Sequence, residues 1–76
     1  MRVNERVARC FAHLRAEEFS PLVEFFRAER QEILERMAQI PDEKVIYRLQ
    51  GEAAKLKDFL DYVEGAEALI AKMKRQ

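Results

Sequence analysis

Six apolar residues, Ile46, Leu49, Ala53, Leu56, Leu60 and Val63, follow one another at steps of 3, 4, 3, 4 and 3. That spacing is a heptad seam. It gathers all six on one face of an α-helix and scatters them over both faces of a strand, so only a helix buries them together. Phe59 and Tyr62 flank the seam and widen it. Immediately upstream, Pro41 drives Ile40 out of the α region, and Pro41-Asp42-Glu43 starts a new helix with carboxylates at its positive end. A break of two or three residues forces the helices on its two sides to pack antiparallel.

The helix before this break is predicted over residues 21–39. Ser20 is placed to cap it, and Pro21 stands at the first helical position, where its missing N–H costs nothing. Phe19 is placed to staple onto the first turn of that helix. The apolar stripe is wide at the start, with Leu22, Val23, Phe25 and Phe26, and resumes at Ile33, Leu34, Met37 and Ile40. A further helix is predicted over residues 3–17, with Val3, Val7, Cys10, Phe11 and Leu14 on one face and Asn4 available as a cap if the first residues fray. The seam helix itself is predicted over 42–64. Gly65 either lets it continue to about Lys74 or ends it, with 66–75 as a short last helix, and both readings stand open at this level. Gly51, beside the seam, is either a tolerated defect or a point of close backbone approach at the small pair Gly51 and Ala54.

The expected fold is therefore all-α: one domain over residues 1–76, an antiparallel helical hairpin with an additional N-terminal helix, completed by oligomerisation. A third helix running to Lys74 would overhang the second, and the first helix, folding back from the Ser20 end, is not expected to cover the overhang. Three short helices would then leave two apolar faces in want of cover, Phe25 and Phe26 on one side and Leu69, Ile70 and Met73 in the tail. Such faces mark contact sites, and these five residues are the candidate protein-interaction positions, with a second copy or a larger protein as the expected partner.

Charge narrows the function classes. Fourteen basic side chains balance 14 acidic ones, which argues against bulk attraction to nucleic acid or to a membrane. No apolar run approaches the ~20 residues of a membrane span, and Met-Arg-Val-Asn-Glu-Arg has no apolar signal-peptide core. The chain is expected to stay in the cytoplasm in which it is made. Arg2, Arg6, Arg9 and His13 recur at steps of 4, 3 and 4 and form a candidate basic stripe beside the apolar face of the first helix. Long Arg stems flanking a hydrophobic face are the ordinary alternative.

Catalytic chemistry is not expected. Cys10 and His13 are three apart on one helix, but no Gly-rich turn or oxyanion hole accompanies them. One His and one Cys are too few for structural zinc, and no phosphate-binding loop is present, so neither metal nor cofactor is expected. The lone Cys10 has no intrachain disulfide partner and is expected to be reduced and half-buried.

The stretch Ile46-Tyr47-Arg48-Leu49-Gln50-Gly51-Glu52-Ala53-Ala54, continuing through Phe59-Leu60-Asp61-Tyr62-Val63-Glu64, and the upstream Ser20-Pro21 with Val23, Phe25 and Phe26 resemble small α-helical accessory proteins of tailed bacteriophages. Leu49-Gln50-Gly51 is the most distinctive element of that resemblance. It implies a virion structural or assembly component, located in the host cytoplasm or the particle, and carries over no catalytic or binding residue. The alternatives are a small regulator or inhibitor of a host protein and, third, an RNA-binding hairpin dimer.

Overall fold

A computed structural model describes residues Arg2–Arg75. Three α-helices, α1 (Glu5–His13), α2 (Ser20–Met37) and α3 (Glu43–Lys74), are joined by a 3-10 turn at Glu17–Phe19 and the bend around Pro41, and no strand is present among the described residues. The fold is the expected all-α hairpin, α2 against α3, with α1 added.

Two of the helix starts are made by side chains. Asn4 Oδ1 accepts the Val7 amide at 2.8 Å, and Asp42 Oδ1 accepts the amides of Lys44 at 2.9 Å and Val45 at 3.4 Å. Each satisfies first-turn N–H groups that have no helical partner. The start of α2 departs from expectation. Ser20 is already helical (φ −53°, ψ −42°) and Phe19 occupies the cap without any side-chain bond. The turn before it does the work instead: Ala16 is extended and its carbonyl accepts the Phe19 amide at 2.9 Å, so the chain enters α2 through an existing backbone turn. Helix α1 ends at His13, short of Glu17, and α2 ends at Met37, short of Gln39.

Helix α3 runs unbroken through both glycines. Neither Gly51 nor Gly65 has a positive φ, and a Cβ at either would meet nothing within 4 Å. Gly65 is thus an exposed helical residue, and no neighbouring backbone of this chain approaches at Gly51. At ~1.5 Å per residue the helix is about 48 Å long, which matches the molecule's longest dimension of 47 Å. It is the spine on which everything else packs. Helices α1 and α2 each pack on α3, and no Cα of one lies within 8 Å of a Cα of the other.

The spine carries two separate cores. Towards its start, Ile33 from α2 is buried with Leu49 and Ala53, flanked by Leu34, Met37, Ile40, Val45 and Leu56. Towards its end, Phe11 from α1 and Val23 from α2 are buried with Leu60, Val63 and Ala66, and Phe26, Phe59 and Tyr62 pack around them. The Phe11 ring lies 5.3 Å from Tyr62, nearly parallel, and 5.5 Å edge-on from Phe59, while Phe26 meets Phe59 at 5.1 Å. These separations are those of favourable aromatic pairs. All six seam residues are buried or half-buried.

This arrangement overturns the expected bare tail. Helix α1 seats on the second half of α3, where Ala66 is fully buried and Leu69, Ile70 and Met73 are half-buried. The reason is that Arg9, Ala12 and His13 of α1 lie beside Glu67, Ile70 and Lys74, giving this end of α3 a neighbour that was not expected. The buried face of α1 is also rotated from the expected one. Ala8 and Phe11 face the spine, while Cys10 is exposed and Val7 is 40% exposed. Ala8, with no exposed surface, is the small residue that permits close approach; Val7 and Cys10 fall beside the contact.

Candidate functional site

Among the described residues no group of His, Cys, Asp and Glu is arranged to hold a metal ion. The surface features that stand out are one apolar patch, a groove beside α1 and a hollow along α3.

The patch lies on α2. Leu22 and Phe25, one turn apart, are 43% and 56% exposed, the consequence of an apolar stripe too wide for one neighbouring helix to cover. Phe26 does not share this exposure: it is half-buried on Phe59, and Phe25 leans edge-on against it at 5.6 Å. Of the two aromatic residues singled out from the sequence, then, one belongs to the core and one to the surface. Tyr47, near the start of α3, is the most exposed of the large apolar side chains at 73% and was not among the candidate interaction positions. Its position off the seam was the available signal.

The first groove runs between α1 and the end of α3. It encloses about 630 Å³ and is lined by Arg9, Ala12, His13, Arg15, Ala16, Glu67, Ile70 and Lys74. Half-buried Ile70 and Ala12 contribute the apolar lining. Arg15 is held at 3.7 Å from Glu67, and Arg9 at 3.5 Å from Glu5. Both pairs are well exposed and contribute little to stability. The basic stripe Arg2, Arg6, Arg9 and His13 is exposed throughout, and two of its members, Arg9 and His13, line this groove. Arg15 and Lys74 complete its basic rim; the sequence reading missed both, because only the packing of α1 on the tail brings them together.

That packing also gives the neutral chain an uneven charge. Residues 2–16 and 66–75 together carry Arg2, Arg6, Arg9, Arg15, Lys72, Lys74 and Arg75 against only Glu5 and Glu67. The compensating acid lies elsewhere, much of it around the start of α2 and the middle of α3 as Glu17, Glu18, Glu24, Asp58, Asp61 and Glu64. The second groove falls in this acidic region. It is a hollow of about 320 Å³ lined by Asp58, Asp61, Tyr62, Gly65 and Leu69. Asp61 accepts a 2.8 Å hydrogen bond from Lys57, and that bond, with the charge of the same carboxylate, holds the Lys57 ammonium above the usual lysine value of 10.5. Arg27 bridges α2 to α3 through a 2.7 Å bond to Glu64.

Among the described residues, no helix is long and apolar enough to cross a membrane. Comparison with family models, curated proteins and solved structures finds no match to the chain.

Proposed function

We propose that this protein is a non-catalytic interaction module that self-associates through α2 and docks on a larger protein. The observation that carries the reading is the exposed Leu22–Phe25 patch. Two large apolar side chains one turn apart lie on a helix whose other face already fills its own core. Covering them removes apolar surface from water at ~25 cal/mol per Å². A chain of this length has little stability to spare, so that gain matters. The resemblance centred on Leu49-Gln50-Gly51 favours a bacteriophage virion or assembly component as the setting.

Sedimentation at tens of micromolar, on the wild type and on Leu22→Glu/Phe25→Glu, tests the reading. The expected result is a dimer or larger species for the wild type and a monomer of unchanged helicity for the variant. A wild type that stays monomeric, and from which nothing is lost on substitution, sinks self-association through this face.

A further inference from the structure

We infer that the groove between α1 and the end of α3 binds an acidic segment of a partner protein, one with carboxylates on both sides of an aliphatic residue. The inference rests on the interaction reading above and assigns it a second surface with its own chemistry. Four cationic or protonatable side chains, Arg9, His13, Arg15 and Lys74, surround half-buried Ile70. Glu67 is the single carboxylate in the lining, and Arg15 already faces it. His13 and Lys74 have no acidic partner among the described residues, in a region where basic side chains greatly outnumber carboxylates. Charge complementarity therefore specifies an acidic occupant.

The lining also specifies its kind. Apart from His13 it holds no ring on which a nucleobase could stack. A nucleic acid would engage the cations through its phosphates and leave Ile70 unused. A peptide with one aliphatic residue between carboxylates engages both. Helix α1 is about 14 Å long at ~1.5 Å per residue, so an extended segment of about four residues spans the groove at ~3.3 Å each.

The test is fluorescence anisotropy with a labelled Glu-Glu-Leu-Glu-Glu peptide, its Glu-Glu-Ser-Glu-Glu counterpart and a single-stranded oligonucleotide of equal charge. The expected result is binding of the Leu peptide that weakens with added salt. It should fall about tenfold in Lys74→Glu, as expected for reversing a charge at a partly screened contact. It should fall again with the Ser peptide or in Ile70→Ala, and be unchanged in Lys55→Glu, which reverses an exposed charge outside the groove. Circular dichroism checks that each variant is folded, and Arg9→Gln supplies a second reading of the rim should Lys74→Glu fray α3. Absence of peptide binding, equal binding of the Leu and Ser peptides, or tighter binding of the oligonucleotide with no dependence on Ile70 overturns the inference. If the peptide fails while the Leu22/Phe25 variant still abolishes self-association, only the groove assignment falls. If both fail, the interaction reading falls with it.

Discussion

The two ends of α3 solve the same packing problem with different materials. Against α2 the spine presents a run of aliphatic residues, Leu49, Ala53 and Leu56 meeting Ile33, Leu34 and Met37, spread over several turns. Where α1 and the first turns of α2 meet it together, it presents a concentrated aromatic cluster in which Phe11 touches both Phe59 and Tyr62 and is buried with Val23, Val63 and Ala66. A helix of 18 residues distributes its attachment over both cores, whereas a helix of nine concentrates it on Phe11 and the fully buried Ala8. Helices this short are not stable in isolation, so α1 exists only while its seat does.

The sharpest way to break this comparison is to remove the seat. Truncation after Glu64 deletes Ala66 and Ile70, and α1 should lose its helix along with the deleted residues. Circular dichroism should show a loss of helicity larger than the deletion alone accounts for, with the α2–α3 hairpin retained. A proportionate loss would mean that α1 holds elsewhere. Next in size are single truncations at the two contacts. Phe11→Ala should cost ~3–5 kcal/mol of α1 docking and Leu49→Ala ~2–5 kcal/mol of hairpin stability. Hydrogen exchange tells them apart: the first should release the amides of α1 alone, the second those of all three helices. Equal spreading of both effects would show one cooperative core.

Smaller changes act on the spine itself. Gly51→Ala and Gly65→Ala should each stabilise by about 0.5–1 kcal/mol, because both glycines are helical with open space at Cβ. Higher denaturant midpoints for both are expected, and a loss at either would reveal a neighbour that needs the space, such as a second copy. The smallest effect belongs to Lys57. Its folded-state pKa is raised by Asp61, so its contribution is fully present below the ordinary value of 10.5 and is lost as pH rises through the folded value. The lysine is solvent-exposed, so the difference in urea midpoint between wild type and Lys57→Gln should be slight below pH 10.5 and vanish as the pH rises past the raised folded-state value.

The same comparison shows what a sequence displays and what it conceals. The seam from Ile46 to Val63 was legible because one helix face states its own period, and the Asn4 cap and the helix start at Pro41-Asp42-Glu43 were legible because their chemistry is local, although Asp42 proved to be the cap and not the first helical residue. The place of α1 was not. Its pattern of Val3, Val7, Cys10 and Phe11 fits several rotations, and only the seat decides that Ala8 faces inward and Cys10 outward. Ser20 looked like a cap because its residue type suits one, yet the turn at Glu17–Phe19 had already supplied the entry to α2. The groove around Ile70 joins residues from opposite ends of the chain, so no local motif could announce it; only half of the basic stripe, Arg9 and His13, contributes to it.

That α1 is anchored on the second half of α3 also sets an order in time. The contacts of Ile33 with Leu49 and Ala53 close across the short Pro41 bend, whereas Phe11 waits for partners about fifty residues further along, and the entropy of closing a loop grows with its length. Low-separation contacts form first. On a growing chain the hairpin can therefore assemble while α1 is still unseated, its aromatic anchor exposed until Phe59, Tyr62 and Ala66 have been made.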